Sequence, residues 1–373
     1  MKAQILFGIG NIKYAEIDKP TPKPGEALIR VNSCGICGSD IPRIFKTGAH
    51  NMPLIPGHEF SGTVEACDSN LSLIGKRVGV FPLIPCGKCP QCLTSHYEMC
   101  ENYSYLGSRR DGGFAEYVCV PAWNLLPLPS KVTDEEAAML EPMSVAVHAI
   151  RRALGSAAAS ANTRARGAMA MHYMQPPSIV VCGLGTIGLL TALFLKDAGF
   201  FNVLCIGNKD IQKRKLLEMG YLESQYCDVR YADPKNFIKE KTGGRGADCY
   251  FECIGRSESY EQAVKCTAPL GTVMLVGNPA SDMELSKDTY WKILRGQLTI
   301  LGTWNSSYYG KGDDWQYVLS RLTTWKKVSG SSSALLYSPA NLITHRFPME
   351  ALETGLDIMR RKSEEYVKIM IKL

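Results

Sequence analysis

The sequence lacks both a dense block of one charge and a clear membrane-spanning run. Its 42 Lys and Arg residues and 36 Asp and Glu residues are spread along 373 positions, with a formal net charge of +6. This mild excess favours an anionic substrate or cofactor and is not typical of a nucleic-acid-binding surface. The apolar stretch Ser178–Leu195 approaches the length of a membrane span, but its glycines favour a strand, a turn and a helix. We therefore expect neither a nucleic-acid nor a membrane partner.

The N-terminal residues lack the features of an export signal. Met1–Lys19 has no continuous apolar run and no small-residue cleavage site. A chain without such a signal is expected in the cytoplasm, where disulfides are rare. The 14 cysteines are many for this length, so a cluster among them is expected to bind metal.

The order of the hydrophobic patterns predicts an α/β protein with a β-rich part and a doubly wound part. Short β-branched runs such as Ala27–Val31 lie in the first part. Thr133 is a candidate N-cap for a helix near residues 131–152. From Ser178 to Val276 strand and helix patterns alternate, which predicts a parallel sheet with helices on its faces.

These patterns divide the chain into a β-rich domain, an α/β domain and a C-terminal return to the first domain. The predicted bounds are, in that order, 1–153, 154–302 and 303–373, with a cysteine lobe at about 86–100. Two further stretches, 155–175 and 328–341, are interpreted as surface loops without a functional role.

The α/β part contains the glycine pattern of a dinucleotide-binding loop. The segment Gly183-Leu-Gly185-Thr186-Ile187-Gly188 follows an apolar strand and opens an apolar helix, the context that this otherwise weak motif requires. The first glycine permits a tight turn, the second lets a pyrophosphate approach the backbone, and the third lets helix and strand pack closely. The helix N-terminus supplies amide donors for the phosphates. The alternative is an ordinary turn in a parallel sheet.

The end of the next strand bears on the choice of cofactor. An NAD site usually carries an acid there to bind the ribose hydroxyls, whereas this strand runs into Gly207, Asn208 and Lys209. The missing carboxylate removes repulsion against a 2′-phosphate, and Lys209, together with Arg214, is a candidate partner for that group. Asp210 is expected to cap the following helix. The sequence therefore favours NADP, with NAD as the alternative.

Four closely spaced cysteines are the strongest metal signal in the sequence. Cys86, Cys89, Cys92 and Cys100 contain two C-x2-C steps and supply four thiolates for one tetrahedral zinc. Because four protein ligands leave no position for water or substrate, this zinc is expected to be structural. The alternative, a pair of disulfides, is disfavoured by the expected reducing compartment.

A second set of metal-ligand types is dispersed along the chain. Cys37, His58 and Glu141, with Glu59 next to His58, offer a thiolate, an imidazole and carboxylates. Three such ligands leave the fourth zinc position open, as a catalytic zinc requires. Asp40 is a candidate partner that orients the His58 ring. Taken singly, each of these residue types is more often a core or surface residue than a ligand.

Together these segments resemble the zinc-containing medium-chain alcohol and polyol dehydrogenases, in the family order and over nearly the whole chain. Within that family the resemblance is strongest to the polyol branch of sorbitol and galactitol-1-phosphate dehydrogenases. The matching segments are Cys34–Asp40, Pro56–Glu59, the four-cysteine lobe, Leu140–Pro142, Gly183–Gly188 and, for the polyol branch, Asp40–Phe45, Leu106–Tyr117 and Thr344–Arg346. The resemblance implies a GroES-like catalytic domain, a Rossmann domain, and a homodimer or homotetramer with two zinc ions per chain.

For the active site, the resemblance implies that Cys37, His58 and Glu141 bind a catalytic zinc, with Glu59 as a further ligand or a close neighbour. Ser39 then passes the proton of the substrate alcohol outward, while hydride moves between the substrate carbon and a nicotinamide ring. A carboxylate at Glu141, where many alcohol dehydrogenases have cysteine, favours the polyol branch. The expected reaction converts a secondary alcohol of a polyol or polyol phosphate to a ketose.

A departure from the family pattern favours a phosphorylated substrate. Polyol dehydrogenases that act on free sugars typically carry tyrosine where this chain has Arg43. Arg43, with Arg109 and Arg110 as second candidates, is therefore predicted to bind a phosphate through paired hydrogen bonds. The alternative is that these arginines are ordinary surface residues.

Other functions stay open at this point. Within the enzymes, the alternatives are an NAD-dependent sorbitol, butanediol or threonine dehydrogenase. A different class is a non-enzymatic zinc- and cofactor-binding protein on the same fold. Such proteins tend to lose catalytic ligands, and the presence of Cys37, Ser39, His58 and Glu141 disfavours that class.

Overall fold

The structure is a computed structural model that describes residues 1–155, 176–279, 281–327 and 338–373. Contacts divide these residues into two units: Met1–Ser144 with Ser306–Leu373, and Val145–Asn305. The stretches 155–175 and 328–341, interpreted above as loops, lie mostly outside the described residues. The domain bounds predicted from the sequence remain predictions.

The strands are numbered here in chain order. They are β1 Lys2–Gly8, β2 Asn11–Glu16, β3 Glu26–Ile36, β4 Glu59–Cys67, β5 Arg77–Val80, β6 Leu83–Ile84, β7 Ser104–Tyr105, β8 Tyr117–Pro121, β9 Leu125–Pro127, β10 Ile179–Cys182, β11 Val203–Gly207, β12 Tyr226–Asp228, β13 Ala247–Glu252, β14 Thr267–Leu275, β15 Thr299–Gly302, β16 Ile343–Pro348 and β17 Lys368–Lys372. Strands β10 and β11 are buried at every position, as expected for central strands of a sheet covered on both faces.

The helices are likewise numbered in chain order. They are α1 Asp40–Pro42, α2 Pro90–Leu93, α3 Asp134–Ala138, α4 Leu140–Leu154, α5 Thr186–Asp197, α6 Asp210–Glu218, α7 Pro234–Lys241, α8 Ser257–Cys266, α9 Lys287–Gly296, α10 Asp314–Lys327 and α11 Leu352–Arg361. A π-helical turn, Arg43–Thr47, continues α1. Thr133 caps α3 through a capping box with Glu136, which confirms the predicted N-cap. In the described parts of the chain, no helix combines the length and apolarity that crossing a membrane requires.

The first unit is built on a seven-stranded sheet with the order β16-β17-β3-β4-β5-β9, in which β8 also pairs with β3. The C-terminal strand β17 therefore lies next to β3, although most of the sequence separates them. Their antiparallel register pairs Ile369 with Ile36. On the other side of β3, Gly35 pairs with Glu59 of β4. Three strands thus bring distant segments together at one end of the sheet.

The second unit is a six-stranded sheet with the order β12-β11-β10-β13-β14-β15, and every pair in it is parallel. Numbered within the unit this order is 3-2-1-4-5-6, with helices in the connections, which is the doubly wound arrangement of dinucleotide-binding domains. The order reverses between β10 and β13, the place where such sheets bind ligands beyond the carboxyl ends of the strands. The predicted parallel sheet is confirmed.

Candidate active site and cofactor-binding site

Cys37, His58 and Glu59 meet at the ends of two neighbouring strands. Cys37 follows the last residue of β3, and Glu59 is the first residue of β4, with His58 immediately before it. Because the two strands are antiparallel, the end of β3 lies beside the start of β4. The ligand atoms of the thiol, the imidazole and the carboxylate all lie within 4.8 Å of one another. This donor set and spacing fit a zinc ion.

The cluster is open on one side. His58 and Glu59 are only 4% and 2% exposed, whereas Cys37 and Ser39 are partly exposed. The Ser39 hydroxyl donates a hydrogen bond to the Cys37 sulfur at 3.3 Å. The hydroxyl predicted to transfer a proton therefore lies at the accessible side of the cluster.

Asp40 is the buried neighbour of the His58 ring. One of its oxygens lies 3.4 Å from His58 Nδ1, although the two atoms are not aligned as a hydrogen bond. The carboxylate also accepts hydrogen bonds from the Cys37 amide at 2.9 Å and from the Arg43 guanidinium at 2.7 Å. Burial alone raises the pKa of Asp40, but the charges of His58 and Arg43 outweigh it and lower the pKa. An anion at Nδ1 directs Nε2 toward a metal.

Glu141 lies in the first turn of α4 and is 7% exposed. At this site, the group of described residues whose ligand atoms lie within 4.8 Å of one another is Cys37, His58 and Glu59, and Glu141 is not part of it. Its carboxylate accepts a hydrogen bond from the Tyr105 hydroxyl at 3.3 Å, and the Tyr105 ring lies 5.8 Å from the His58 ring. Burial raises the pKa of Glu141 to about 7, and the positive charge of His58 opposes that rise. A metal cation beside this carboxylate favours its ionised form.

Glu59 has a different partner, the ammonium group of Lys368. Both side chains are 2% exposed, and Lys368 also donates to the carbonyl oxygen of Ile36 at 3.0 Å. Burial lowers the pKa of Lys368, but the Glu59 carboxylate outweighs burial and raises it. Glu59 is therefore placed both at the cluster and in a buried ion pair.

The four-cysteine lobe has the geometry of a tetrahedral metal site. The sulfur of Cys92 lies 3.4 Å from that of Cys89 and 4.0 Å from that of Cys86, and Cys89 and Cys100 are 3.9 Å apart. Zinc–sulfur bonds of about 2.3 Å in a tetrahedron place sulfur atoms about 3.8 Å apart. These separations are much longer than a disulfide bond of about 2.05 Å. Backbone amide hydrogen bonds from Cys92 and Glu101 help lower the pKa of Cys89 to about 6, which favours a thiolate.

The three predicted phosphate-binding arginines have different surroundings. Arg43 is 18% exposed and donates to Asp40. Arg109 lies over the Tyr103 ring at 4.4 Å, and its buried Nε has no hydrogen-bond partner among the described residues. Arg110 pairs with Glu26 at 2.6 Å, and Glu26 lies at the end of β3 opposite to Cys37. Arg43 thus contacts the cluster through Asp40, whereas Arg109 contacts Tyr103, which packs against the four-cysteine lobe, and Arg110 pairs with Glu26.

The glycine loop has the tight turn and the close helix–strand packing that the sequence predicted for Gly183 and Gly188. Gly183 has a φ of +92°, and a β carbon there would meet the Ile254 side chain at 2.5 Å. A β carbon on Gly188 would collide with the carbonyl oxygen of Gly183, so only glycine permits this packing. At Gly185 nothing lies within 4 Å of such an atom. This open position is the N-cap of α5, whose first residues are Thr186 and Ile187. The loop fits a dinucleotide pyrophosphate.

The end of β11 has no acid, and Gly207 has a packing reason to be glycine. A β carbon there would lie 2.5 Å from Gln212 Oε1, which accepts a hydrogen bond from the Asn208 amide at 2.9 Å. Asn208 and Arg214 are exposed, and Lys209 is partly exposed.

The expectation that Asp210 caps α6 is wrong. Lys209 occupies the N-cap position, and Asp210 is the first helical residue. Its carboxylate is instead paired with Arg230, which also contacts Asp228 at 2.6 Å. The Asp210 carboxylate, which follows Gly207, is thus neutralised by the guanidinium of Arg230, just after the end of β12.

Two residues of the site were not predicted from the sequence, Tyr105 and Lys368. Each contacts a predicted metal ligand from an element remote in the chain. A sequence signal existed for Lys368, since it is a charged residue in the otherwise apolar run from Tyr366 to Ile371. No comparable signal marks Tyr105.

Comparisons with known proteins agree with this arrangement. Residues 23–130 match the family profile "Alcohol dehydrogenase GroES-like domain", and residues 186–324 match "Zinc-binding dehydrogenase". Galactitol 1-phosphate 5-dehydrogenase of Escherichia coli K12 is 34% identical over 336 residues, which cover 88% of this chain and 90% of that protein. The crystal structure of galactitol-1-phosphate dehydrogenase from Escherichia coli superimposes with a TM-score of 0.83 at 30% identity, over the full length of both chains.

Relatives with other substrates reach similar identities. L-threonine 3-dehydrogenase of Bacillus subtilis is 30% identical, with 96% of this chain and 94% of that protein covered. Sorbitol dehydrogenase of Halalkalibacterium halodurans is also 30% identical, with 100% and 99% covered. The catalytic class is common to these relatives, and their substrates differ.

Proposed function

Because this chain belongs to the zinc-binding medium-chain dehydrogenase family, we propose that it oxidises a secondary alcohol of a polyol phosphate, with NADP as the hydride acceptor. The family and fold make it an NAD(P)-dependent alcohol or polyol dehydrogenase. The observation that carries the finer proposal is the cluster of thiol, imidazole and carboxylate with the Arg43 guanidinium beside it.

Two zinc ions per chain are part of the proposal. Cys37, His58 and Glu141 would hold the catalytic ion, and the four cysteines of the lobe would hold the structural one. The converging ligand atoms of the four cysteines, and those of Cys37 and His58, support this assignment. Glu141 is assigned on the family resemblance, and Glu59 is the carboxylate whose ligand atom lies within 4.8 Å of those of Cys37 and His58. When bound at the first site, zinc supplies a Lewis acid that lowers the pKa of a substrate hydroxyl.

The side chains around that site orient the ligands and move the proton. Asp40 holds the His58 ring in one orientation through its contact at Nδ1. Ser39 Oγ lies at the accessible side of the cluster, where it accepts the proton of the substrate alcohol and passes it outward. The glycine loop would hold the dinucleotide pyrophosphate at Gly185, at the N-terminus of α5.

Arg43 is the group proposed to bind the substrate phosphate, with Arg109 as a second candidate. Arg43 uses one nitrogen for Asp40, which leaves other donors of the guanidinium for a second anion. The buried Nε of Arg109 has no hydrogen-bond partner among the described residues and is a donor in need of an acceptor. Planar guanidinium groups suit the paired oxygens of a phosphate.

The test compares galactitol 1-phosphate with galactitol, at saturating cofactor, in the wild type and in Arg43→Ala. The wild type is expected to have the higher kcat/KM on the phosphate ester. Loss of one charge-assisted contact of about 1.5–3 kcal/mol should raise KM for that ester roughly 10–150-fold in Arg43→Ala.

Two comparisons separate phosphate binding from the support that Arg43 gives to Asp40. Loss of that support should lower kcat for both substrates alike, whereas loss of phosphate binding raises KM for the ester alone. Arg110→Ala serves as the matched control, because its partner is Glu26. Equal kcat/KM values for the two substrates in the wild type would contradict the phosphate proposal.

The preference for NADP is proposed on the end of β11. Gly207 stands where an NAD site has its acid, and Lys209 follows it in a partly exposed position. Asp210, the nearest carboxylate after the turn, is paired with Arg230. A higher kcat/KM with NADP than with NAD is the expected result.

A homodimer or homotetramer is proposed on the edge of the six-stranded sheet. β15 is the last strand of that sheet and keeps an unpaired edge in the described structure. Trp291 and Leu294 of the preceding helix are 42% and 50% exposed. An unpaired edge strand is a site for pairing with another chain. Sedimentation at several concentrations tests this assembly.

A further inference from the structure

The segment that carries Arg43 has an unusual backbone. Arg43–Thr47 forms a π-helical turn directly after α1, and the Thr47 hydroxyl donates to the carbonyl oxygen of Pro42 at 3.3 Å, five residues earlier. Single π turns are rare and frequently occur at functional sites. Because the turn is wider than an α-helical one, it also changes the directions in which its side chains point. One of these side chains is Arg43, the group proposed above to bind the substrate phosphate.

Contacts with two other parts of the chain hold this turn. Ile44 is fully buried, and its carbonyl oxygen accepts a hydrogen bond from the Gly10 amide at 2.7 Å. Phe45 is partly buried, and the guanidinium of Arg360 in α11 lies over its ring, 4.3 Å from the ring centre. A guanidinium at this distance from an aromatic face makes a favourable cation–π contact. The turn is therefore fixed both by the core and by a charged residue of α11.

Arg360 is itself held in place by its own helix. Its guanidinium donates to the Asp357 carboxylate at 2.7 Å, one helical turn earlier. The helix α11 lies close to the sheet, since a β carbon on Gly355 would come within 2.8 Å of Ile36 Cδ1. This close packing makes α11 a firm support from which Arg360 reaches the Phe45 ring.

Arg43 and Phe45 point to opposite sides of the π turn. Two positions make about half a turn when one turn takes more than four residues. Arg43 donates to Asp40 at 2.7 Å on one side, and Phe45 contacts Arg360 on the other. Asp40 holds the Arg43 guanidinium at one nitrogen, so the direction of the remaining donors depends on the backbone that carries the side chain. A residue that fixes this backbone therefore influences where those donors point.

We propose that Arg360 is a positioning residue for substrate specificity. By stacking on Phe45 it fixes the π turn, and the turn directs the remaining donors of Arg43 toward the phosphate of the substrate. The proposal rests on the proposed function, because it requires Arg43 to bind that phosphate. A guanidinium that is already oriented binds the ester more tightly, since less conformational freedom is lost on binding. Arg360 acts through Phe45 and not through a contact of its own with the substrate.

The kinetic test is a double-mutant cycle of Arg43→Ala and Arg360→Ala, with galactitol 1-phosphate and galactitol as alternative substrates. Arg360→Ala should raise KM for the ester relative to KM for galactitol by roughly 2–30-fold, the range that one cation–π contact can supply. In the Arg43→Ala background the same change should alter that ratio by less than about twofold, because the group that Arg360 positions is gone. Arg360→Lys keeps the charge without the planar group and should give an intermediate ratio.

Arg361→Ala is the matched control. Arg361 also pairs with Asp357, at 3.2 Å, but it is 66% exposed and contacts no aromatic ring among the described residues. Its removal should leave the ratio of KM values unchanged. Hydrogen exchange without substrate gives a second measurement of the turn itself. The amides of Arg43–Thr47 should exchange faster in Arg360→Ala than in the wild type or in Arg361→Ala.

The outcomes separate this proposal from the proposed function. Additive effects in the cycle, an unchanged KM ratio in Arg360→Ala, or unchanged exchange of residues 43–47 would each overturn the role of Arg360. An equal effect in Arg361→Ala would also overturn it, because the cause would then be the loss of positive charge in general. If Arg43→Ala leaves KM for the ester unchanged, the proposed phosphate site is wrong, and the role of Arg360 in specificity is wrong with it.

Discussion

Two alanine substitutions in the same loop, Gly185→Ala and Gly188→Ala, should fail in different ways. A methyl group on residue 185 has open space around it, and its φ of −71° is accessible to alanine. A methyl group on residue 188 would collide with the Gly183 carbonyl oxygen. The obstacle is backbone at the strand-to-helix turn, which cannot swing aside as a flexible side chain can. Gly185→Ala should therefore weaken cofactor binding, and Gly188→Ala should lower the stability of the fold.

The expected sizes follow from these contacts. Overpacking a well-packed site costs about 1–3 kcal/mol, and a domain of this size loses about 2–4 °C in Tm per kcal/mol. Gly188→Ala should therefore lower Tm by roughly 2–12 °C without cofactor. Gly185→Ala, at an open position, should change it by less than about 2 °C. Because its methyl group fills the approach of the pyrophosphate, it should weaken NADPH binding at least about tenfold, or ~1.4 kcal/mol.

Thermal unfolding of the cofactor-free proteins and a fluorescence titration with NADPH measure the two effects, and each variant serves as the other's control. Wild-type affinity for NADPH in Gly185→Ala would show that the pyrophosphate does not approach the backbone at this glycine. An unchanged Tm in Gly188→Ala would show that the close packing of helix and strand is absent. Either result would refute the assignment of separate roles within the motif.

Two further changes test the cofactor and the structural zinc. Gly207→Asp should reduce the ratio of kcat/KM with NADP to kcat/KM with NAD by roughly 10–100-fold, because a carboxylate repels the 2′-phosphate and accepts hydrogen bonds from the ribose hydroxyls. Gln212→Ala controls for displacement of the Gln212 side chain, which a side chain at position 207 would contact. An unchanged ratio in Gly207→Asp would show that position 207 does not determine cofactor choice. Cys92→Ser should release one zinc per chain and alter tryptophan emission, because Tyr97 of the lobe contacts the Trp123 ring at 5.1 Å. Cys119→Ser, outside the lobe, should leave the zinc content and the tryptophan emission unchanged. A Cys92→Ser protein that retains both zinc ions would contradict the assignment of a structural zinc to the lobe.

Features that depend on neighbours in the chain were predictable from the sequence. The glycine loop needs only a strand, a turn and a helix in succession, and the roles of Gly183 and Gly188 follow from that local geometry. The capping box of Thr133 and Glu136 is likewise contained in one turn. The four sulfur atoms of the lobe come from one short segment, so their convergence required no knowledge of the sheet. The Arg43–Asp40 pair also has helical i,i+3 spacing and was readable in the same way, but Arg43 was assigned only to the substrate.

Features that depend on the order of strands were not predictable, and Lys368 shows why. It stands in a buried run with Val367 and Ile369, and a charged residue in such a run requires a partner. The sequence therefore contained a reason to expect a buried ion pair. It contained no means of choosing the partner, because Glu59 is 309 positions away and becomes a neighbour only when β17 pairs with β3.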